Sequence, residues 1–156
     1  MHDILLRTAQ LNDLAQILQL FVNTIKHTCS NDYNSQQIEA WISSAKNKDI
    51  WINRIKNQYF LIAEINNQIV GFASLENKYY VDLLYLHKDY LKQGIACELY
   101  KRLEQIARES GKSEIESDVS ITAVPFFEKI GFRMVHENRI LLQGVKLINY
   151  RMSKQI

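Results

Sequence analysis

Apolar residues recur along this chain with two periods, and the switches between them mark out its elements. In "LNDLAQILQLFVNTIKHT" the residues Leu11, Leu14, Ile17, Leu18, Phe21, Val22 and Ile25 fall three or four apart. That spacing predicts a helix, with Asn12 or Asp13 able to cap it. A short strand, "DILLRTA", precedes it. After the polar stretch "CSNDYN", the segments "SQQIEAWISSA" and "DIWINRIK" read as two short helices opened by Ser35 and Asp49. The pattern then changes. In "QYFLIAEINNQIVGFASLEN" two β-branched and aromatic runs flank Asn66-Asn67, which tolerate the positive φ of a tight turn, so a hairpin is expected. "KYYVDLLYLHKDY" has few polar interruptions and predicts a third strand, buried on both faces in mid-sheet.

From Gln93 the helical period returns, with Ile95, Leu99, Leu103 and Ile106 in one stripe and Ala96 and Ala107 beside it. Ser110-Gly111 closes that helix with a glycine cap. "SEIESDVS" alternates Ile115 and Val119 with polar residues, as a strand does. "TAVPFFEKIGF" reads as a short helix with Thr122 as cap, Pro125 in its first turn and Gly131 at its end. "FRMVHENRILLQGVKLINYRM" closes the chain as two strands around Gln143-Gly144. No repeat or linker interrupts this order, so residues 1–156 are expected to form a single α+β sheet domain.

Composition narrows the partners. At 47% hydrophobic and 23% charged, the 156 residues are ordinary globular material. A net charge of +2 and the lack of a dense Lys/Arg run argue against nucleic acid as a main partner. Cys29 and Cys97 form no CxxC or CxxH pair, and the spacing of His27, Cys29 and Asp32 matches no common metal site. No metal is expected, and that loop is read as an acceptor-facing lid. The start, "MHDILLRTAQ", lacks the apolar stretch of a signal peptide and no segment reaches membrane-spanning length. The expectation is a soluble, cytoplasmic protein with reduced thiols and no membrane partner.

One stretch carries chemistry. In "YLKQGIACEL" the small residues Gly94 and Ala96 stand where an apolar run becomes a helix. A helix N-terminus offers free N–H groups and the positive end of the helix dipole, which together favour a phosphate. By itself G-x-A is equally compatible with a tight turn and a helix packed closely on a sheet. The longer fingerprints GxGxxG and GxxxxGKS do not occur.

The ordered set "LLRTAQLNDLAQILQLF", "IVGFASL", "VDLLYLHKDYLKQGIACELY" and "SITAVPFFEKIGF" resembles the GNAT superfamily of acyl-CoA-dependent N-acetyltransferases, and within it the YafP-like branch. The resemblance covers nearly the whole chain. It implies the GNAT fold: one mixed, mostly antiparallel sheet of about seven strands flanked by about four or five helices. It also implies acetyl-CoA as cosubstrate. The backbone of Leu84, Tyr85 and Leu86 would pair with the pantetheine arm. The amides of Gln93, Gly94, Ile95, Ala96 and Cys97 would hold the pyrophosphate, with Lys92 near the phosphates. Two positions depart from the family pattern. Leu91 stands where Gln or Arg is usual, and Phe127 stands where a tyrosine often serves as acid to the leaving thiolate. Ser120, at a position often held by Asn, can still hydrogen-bond pantetheine.

An amine must be neutral to attack a thioester, so a base is needed. Asp82 is the preferred candidate, as the only acid within the apolar run "VDLLYLH"; its alternative is a structural partner at a wet strand end. Tyr80, on the same strand, is the second candidate. His87 is read as capping the strand end, Cys97 as a small backbone-approach residue instead of a nucleophile, and Tyr150 as packing. Phe21, Trp41 and Trp51 are read as core, with one wall of the acceptor pocket among them. The leading expectation is acetyl transfer to a primary amine by direct attack in a ternary complex. The alternative is a non-catalytic acyl-CoA-binding or sensing module, which Leu91 and Phe127 would favour. The acceptor itself is not legible, and a homodimer is left open.

Overall fold

The computed structural model describes residues 3–156. Its elements in chain order are β1 (Leu5–Thr8), α1 (Leu14–Thr28), α2 (Ser35–Ile42), α3 (Lys48–Asn57), β2 (Tyr59–Ile65), β3 (Gln68–Glu76) and β4 (Tyr80–Leu86). Then come α4 (Ile95–Glu109), β5 (Glu114–Ser120), α5 (Val124–Lys129), β6 (Arg133–Leu142) and β7 (Val145–Gln155). The strands form one seven-stranded sheet in the order β1-β2-β3-β4-β5-β7-β6. Every neighbouring pair is antiparallel except β4 and β5, which run parallel. Among the described residues no helix is long and apolar enough to cross a membrane.

Each face of the sheet carries its own core. On one side Leu99, Leu103 and Ala107 of α4 pack on Leu61, Ala63 and Val70. On the other, Ile17, Phe21 and Ile25 of α1 and Trp51 of α3 pack on Phe60, Ile62 and Phe72. The α4 side is tight at Gly71, where a Cβ would stand 2.7 Å from Leu86 Cδ1 and 3.2 Å from the Tyr85 carbonyl oxygen.

Several helix starts differ from the sequence reading by one or two residues. Asn34, not Ser35, caps α2 in a reciprocal box with Gln37 (2.8 and 2.9 Å). Asn47, not Asp49, accepts from Ile50 N at the head of α3. Asp13 does not cap α1; it accepts from Gln10 N at 2.8 Å and is held by the Arg7 guanidinium, which reaches on to Glu64. Ser120, not Thr122, receives Ala123 N in the turn before α5. In each case the sequence holds a second capping-type residue one or two positions away, and the path of the preceding chain decides between them. The Asn66-Asn67 turn takes the expected positive φ values of 50° and 64°. A second such turn, Asn77-Lys78 (52° and 64°), makes β3 and β4 a hairpin too, so β4 starts later than its apolar run suggested.

The largest correction concerns β4. It lies in mid-sheet, but only Val81, Leu83 and Leu86 are buried, while Tyr80, Asp82, Leu84 and Tyr85 are half-buried. Opposite it, Leu75 pairs with Val81 and Ser74 with Leu83, which leaves Asp82 as the extra residue of a β-bulge. The bulge reverses the alternation. Val81 joins the α4-side core, whereas Leu83, also odd-numbered, joins the α1-side core.

Candidate active site

β4 and β5 are paired only at Tyr80–Glu116 and Val81–Ser117. Beyond that point they separate, so the sheet is split from Asp82 to Leu86 on one strand and from Asp118 to Ser120 on the other. Two side-chain bonds pin the apex of the wedge. Ser117 Oγ donates to the Val81 carbonyl at 2.8 Å, and the Tyr80 hydroxyl donates to Asp118 Oδ2 at 2.6 Å. A cleft of ≈ 840 Å³ follows the split to the start of α4, lined by Leu84, Leu86, Ala96, Cys97, Ser120 and Phe127 among others.

At the far end of the cleft, Gly94 caps α4 with φ +83°, and a Cβ there would meet nothing within 4 Å. The residue is needed for its backbone conformation and leaves open space beside it. The first intrahelical bond of α4 is Glu98 N to Gly94 O at 3.0 Å, so the amides of Ile95, Ala96 and Cys97 have no partner inside the helix. Residues 91–94 are exposed, with Lys92 at φ +60°. Gln93 turns its side-chain amide back to the Asp89 carbonyl at 3.3 Å. His87 closes the strand, its Nδ1 accepting from Asp89 N at 3.1 Å.

Of the two candidate bases, Asp82 is half-buried and accepts from Arg54 Nε (3.0 Å) and Gln58 Nε2 (2.9 Å), both on Oδ2. Tyr80 is a donor. Burial, then its bond to Asp118, holds its phenol well above the usual range, so it stays protonated at neutral pH. Asp118 is the hub of this face: Arg151 grips both its oxygens at 2.8 and 2.9 Å, and Asn138 adds a third partner at 2.7 Å. Burial alone would raise its pKa, but the bonds from Arg151, Tyr80 and Asn138 outweigh it and hold the carboxyl below the usual range. Phe127 is 3% exposed and packs edge-on against Phe132 at 4.9 Å.

The sequence reading missed several groups that line this region. Tyr33, from the loop "CSNDYN", accepts from Ile121 N (3.0 Å) and donates to the Ile148 carbonyl (2.7 Å), tying the turn after β5 to β7 in the cleft wall. Burial pushes its phenol up to about 12. Thr28, also in the cleft wall, has a buried hydroxyl oxygen with no hydrogen-bond partner among the described residues. His27 is exposed, Cys29 is buried, and Asp32 accepts from the Thr122 hydroxyl at 2.7 Å. Arg54, Asp118, Asn138 and Asn149 gave no local signal, because each belongs to a different element and the sheet alone gathers them. The one available hint was compositional: Tyr33 is the only aromatic residue in its polar stretch.

Known proteins share this architecture. The chain is 34% identical to the N-acetyltransferase YafP of Escherichia coli over 97% of its own length and 96% of that protein's. A crystal structure of a GCN5-related N-acetyltransferase from Rhodopseudomonas palustris superposes with a TM-score of 0.96 at 32% identity, covering 100% of this chain and 98% of that one. The PaiA N-acetyltransferase of Thermoplasma acidophilum, solved with coenzyme A, shares the fold at a TM-score of 0.83 and 23% identity, covering 99% of each chain. The acetyltransferase (GNAT) domain family matches residues 29–154, and on that match this chain belongs to the GNAT family and is an acyl-CoA N-acyltransferase of the GNAT type.

Proposed function

We propose that this enzyme transfers the acetyl group of acetyl-CoA to a primary amine by direct attack within a ternary complex. The observation that carries the reading is the split between β4 and β5, which leads from a bare helix N-terminus to Asp82, where a second, polar cavity begins. The residues fit coenzyme A. The amides of Gln93, Gly94, Ile95, Ala96 and Cys97 suit a pyrophosphate, with Lys92 beside them, and the open space at Gly94 lets the anion come close. The edge of Leu84, Tyr85 and Leu86 that β5 leaves unpaired suits the amides of a pantetheine arm, although the Leu86 carbonyl already accepts from the Thr24 hydroxyl at 2.8 Å, and Ser120 retains a hydroxyl proton to donate. The coenzyme A in the Thermoplasma protein supports this assignment.

We assign Asp82 the role of accepting the amine's proton, directly or through water, and Tyr80 that of positioning β5 through Asp118. Phe127 offers no proton to the thiolate, so the proton comes from another group or water, or the thiolate leaves unassisted. A panel of primary amines with acetyl-CoA tests the proposal. Free thiol should appear together with an equal amount of N-acetylated product. No thiol release with any amine, in protein that still binds acetyl-CoA, would favour the binding-module reading. Asp82→Asn should lower kcat/KM near neutrality by about two orders of magnitude while leaving acetyl-CoA affinity nearly unchanged. Equal kcat/KM for both proteins across pH 6 to 9 would remove Asp82 from the mechanism.

A further inference from the structure

A second cavity, ≈ 530 Å³, opens on the α1–α3 face and meets the cleft at Asp82, Tyr85 and Asn149. Its polar groups can be sorted by what they have already spent. Asp118 is full: Arg151, Tyr80 and Asn138 occupy both oxygens. Asp82 is half spent. Both its partners sit on Oδ2, and among the described residues no hydrogen bond falls on Oδ1. Arg54 uses Nε alone; its guanidinium lies 4.8 Å over the Trp51 ring, and its two terminal nitrogens carry no hydrogen bond among the described residues. Asn149 accepts from Asn138 Nδ2 at 2.9 Å through its oxygen, and its amide nitrogen carries no hydrogen bond among the described residues.

Among the described residues the unspent groups of this lining therefore include one carboxylate oxygen of Asp82 and N–H donors of Arg54, Arg139 and Asn149. A primary amine satisfies the first. Only an anionic or strongly accepting oxygen group satisfies the second, and a guanidinium prefers a carboxylate. A polyamine fits poorly, because Arg54 and Arg139 line the same space and the charge of Asp118 is already matched by Arg151. The rest of the lining is mostly apolar, with Phe21, Trp41, Leu83, Tyr85, Ile140 and Leu142, and suits an apolar group.

Resting on the acetyl-transfer reading above, we propose that this cavity is the acceptor subsite and that its acceptor is an amino carboxylate with an apolar side chain. The amine lies towards Asp82 Oδ1 and the carboxylate towards Arg54 and Asn149. In the transfer the amine nitrogen bonds to the acyl carbon and the C–S bond breaks with its electron pair on sulfur. The proton leaves nitrogen for Asp82 or water, and the product is an N-acetyl amino carboxylate.

Matched pairs that differ only in the carboxylate test the proposal: leucine against 3-methylbutylamine, and phenylalanine against 2-phenylethylamine. At saturating acetyl-CoA, wild-type kcat/KM should favour the amino carboxylate by about tenfold or more, the scale of one charge-assisted hydrogen bond. Arg54→Gln should bring that ratio towards one, whatever it does to the absolute rate, because the ratio is taken within each protein. If Arg54→Gln does not fold, Asn149→Ala should narrow the ratio in the same direction. A wild-type preference for the plain amine, or a ratio untouched in a folded variant, would overturn the assignment while leaving acetyl transfer intact. If neither class is acetylated, the acetyl-transfer reading fails, and binding still decides the subsite. Leucine should then raise the Tm of the coenzyme A-loaded protein while 3-methylbutylamine does not, and no shift with leucine would sink the proposal.

Discussion

At the residue scale, Gly94 separates two reasons for a glycine. Nothing in the protein stands within 4 Å of where its Cβ would be, so packing does not demand it. Its φ of +83° does, and in the proposed reading so does the phosphate that approaches the amides beside it. Gly94→Val should therefore cost about 1–2 kcal/mol of local strain, leave the chain folded and abolish acetyl-CoA binding by calorimetry. Unchanged affinity in a folded variant would move the cradle elsewhere. Gly71 is the opposite case, since its missing Cβ is filled by Leu86, the Tyr85 carbonyl and Leu99. Both glycines are visible in the sequence as bare letters, but only their surroundings tell them apart.

At the element scale, the bulge at Asp82 and the two-pair contact with β5 turn an ordinary apolar strand into the wall of a cleft. The Ser117 hydroxyl ties the last paired position by its bond to the Val81 carbonyl, in a site where Ser117 is 3% exposed. Ser117→Ala leaves that carbonyl one donor short. The expected cost is about 1–2 kcal/mol, read as a fall in Tm of about 2–6 °C. Because this bond sits at the apex of the wedge, acetyl-CoA affinity should weaken as well. A lower Tm with unaltered affinity would mean that the neighbouring Tyr80–Asp118 bond holds the wedge alone.

At the scale of the whole molecule, carboxylates tie the elements together. Asp118 joins β5 to β4, β6 and β7, Asp13 holds the start of α1 to β1, and Glu104 links α4 to β7 through Lys154 at 2.7 Å. The bonds from Arg7 pull Asp13 below its ordinary value of 3.8; burial opposes them. In Asp118 and Glu104 burial is the largest influence and acts upward, but their donors together outweigh it. A carboxyl whose pKa is lowered by folding stabilises the fold above its unfolded value and loses that contribution as pH falls through the folded one. Thermal stability should thus be level near neutrality and drop once pH passes below about 4. Asp118→Asn should lower Tm at pH 7 and flatten this acid limb. An acid limb equally steep in the variant would assign the pH dependence to Asp13 and Glu104 instead.

The order of elements and the helix start at Gly94 were legible in the sequence, because both rest on local physics: the period of apolar positions and the small side chains a turn requires. So were the two departures from the family pattern at Leu91 and Phe127. The bulge was not legible, since "VDLLYLH" reads as an unbroken apolar run and an extra residue shows only against the register of β3. Nor was the pairing of Asp82 with Arg54, which lies 28 residues earlier and arrives through the packing of α3 on the sheet. The sequence by itself determined the order of elements and the glycine-capped start of α4, both set by neighbours along the chain. Only the tertiary structure decided the second cavity, because its hydrogen-bonding groups come from α3, β4, β5, β6 and β7, and which of their atoms stay unspent depends on where those elements meet.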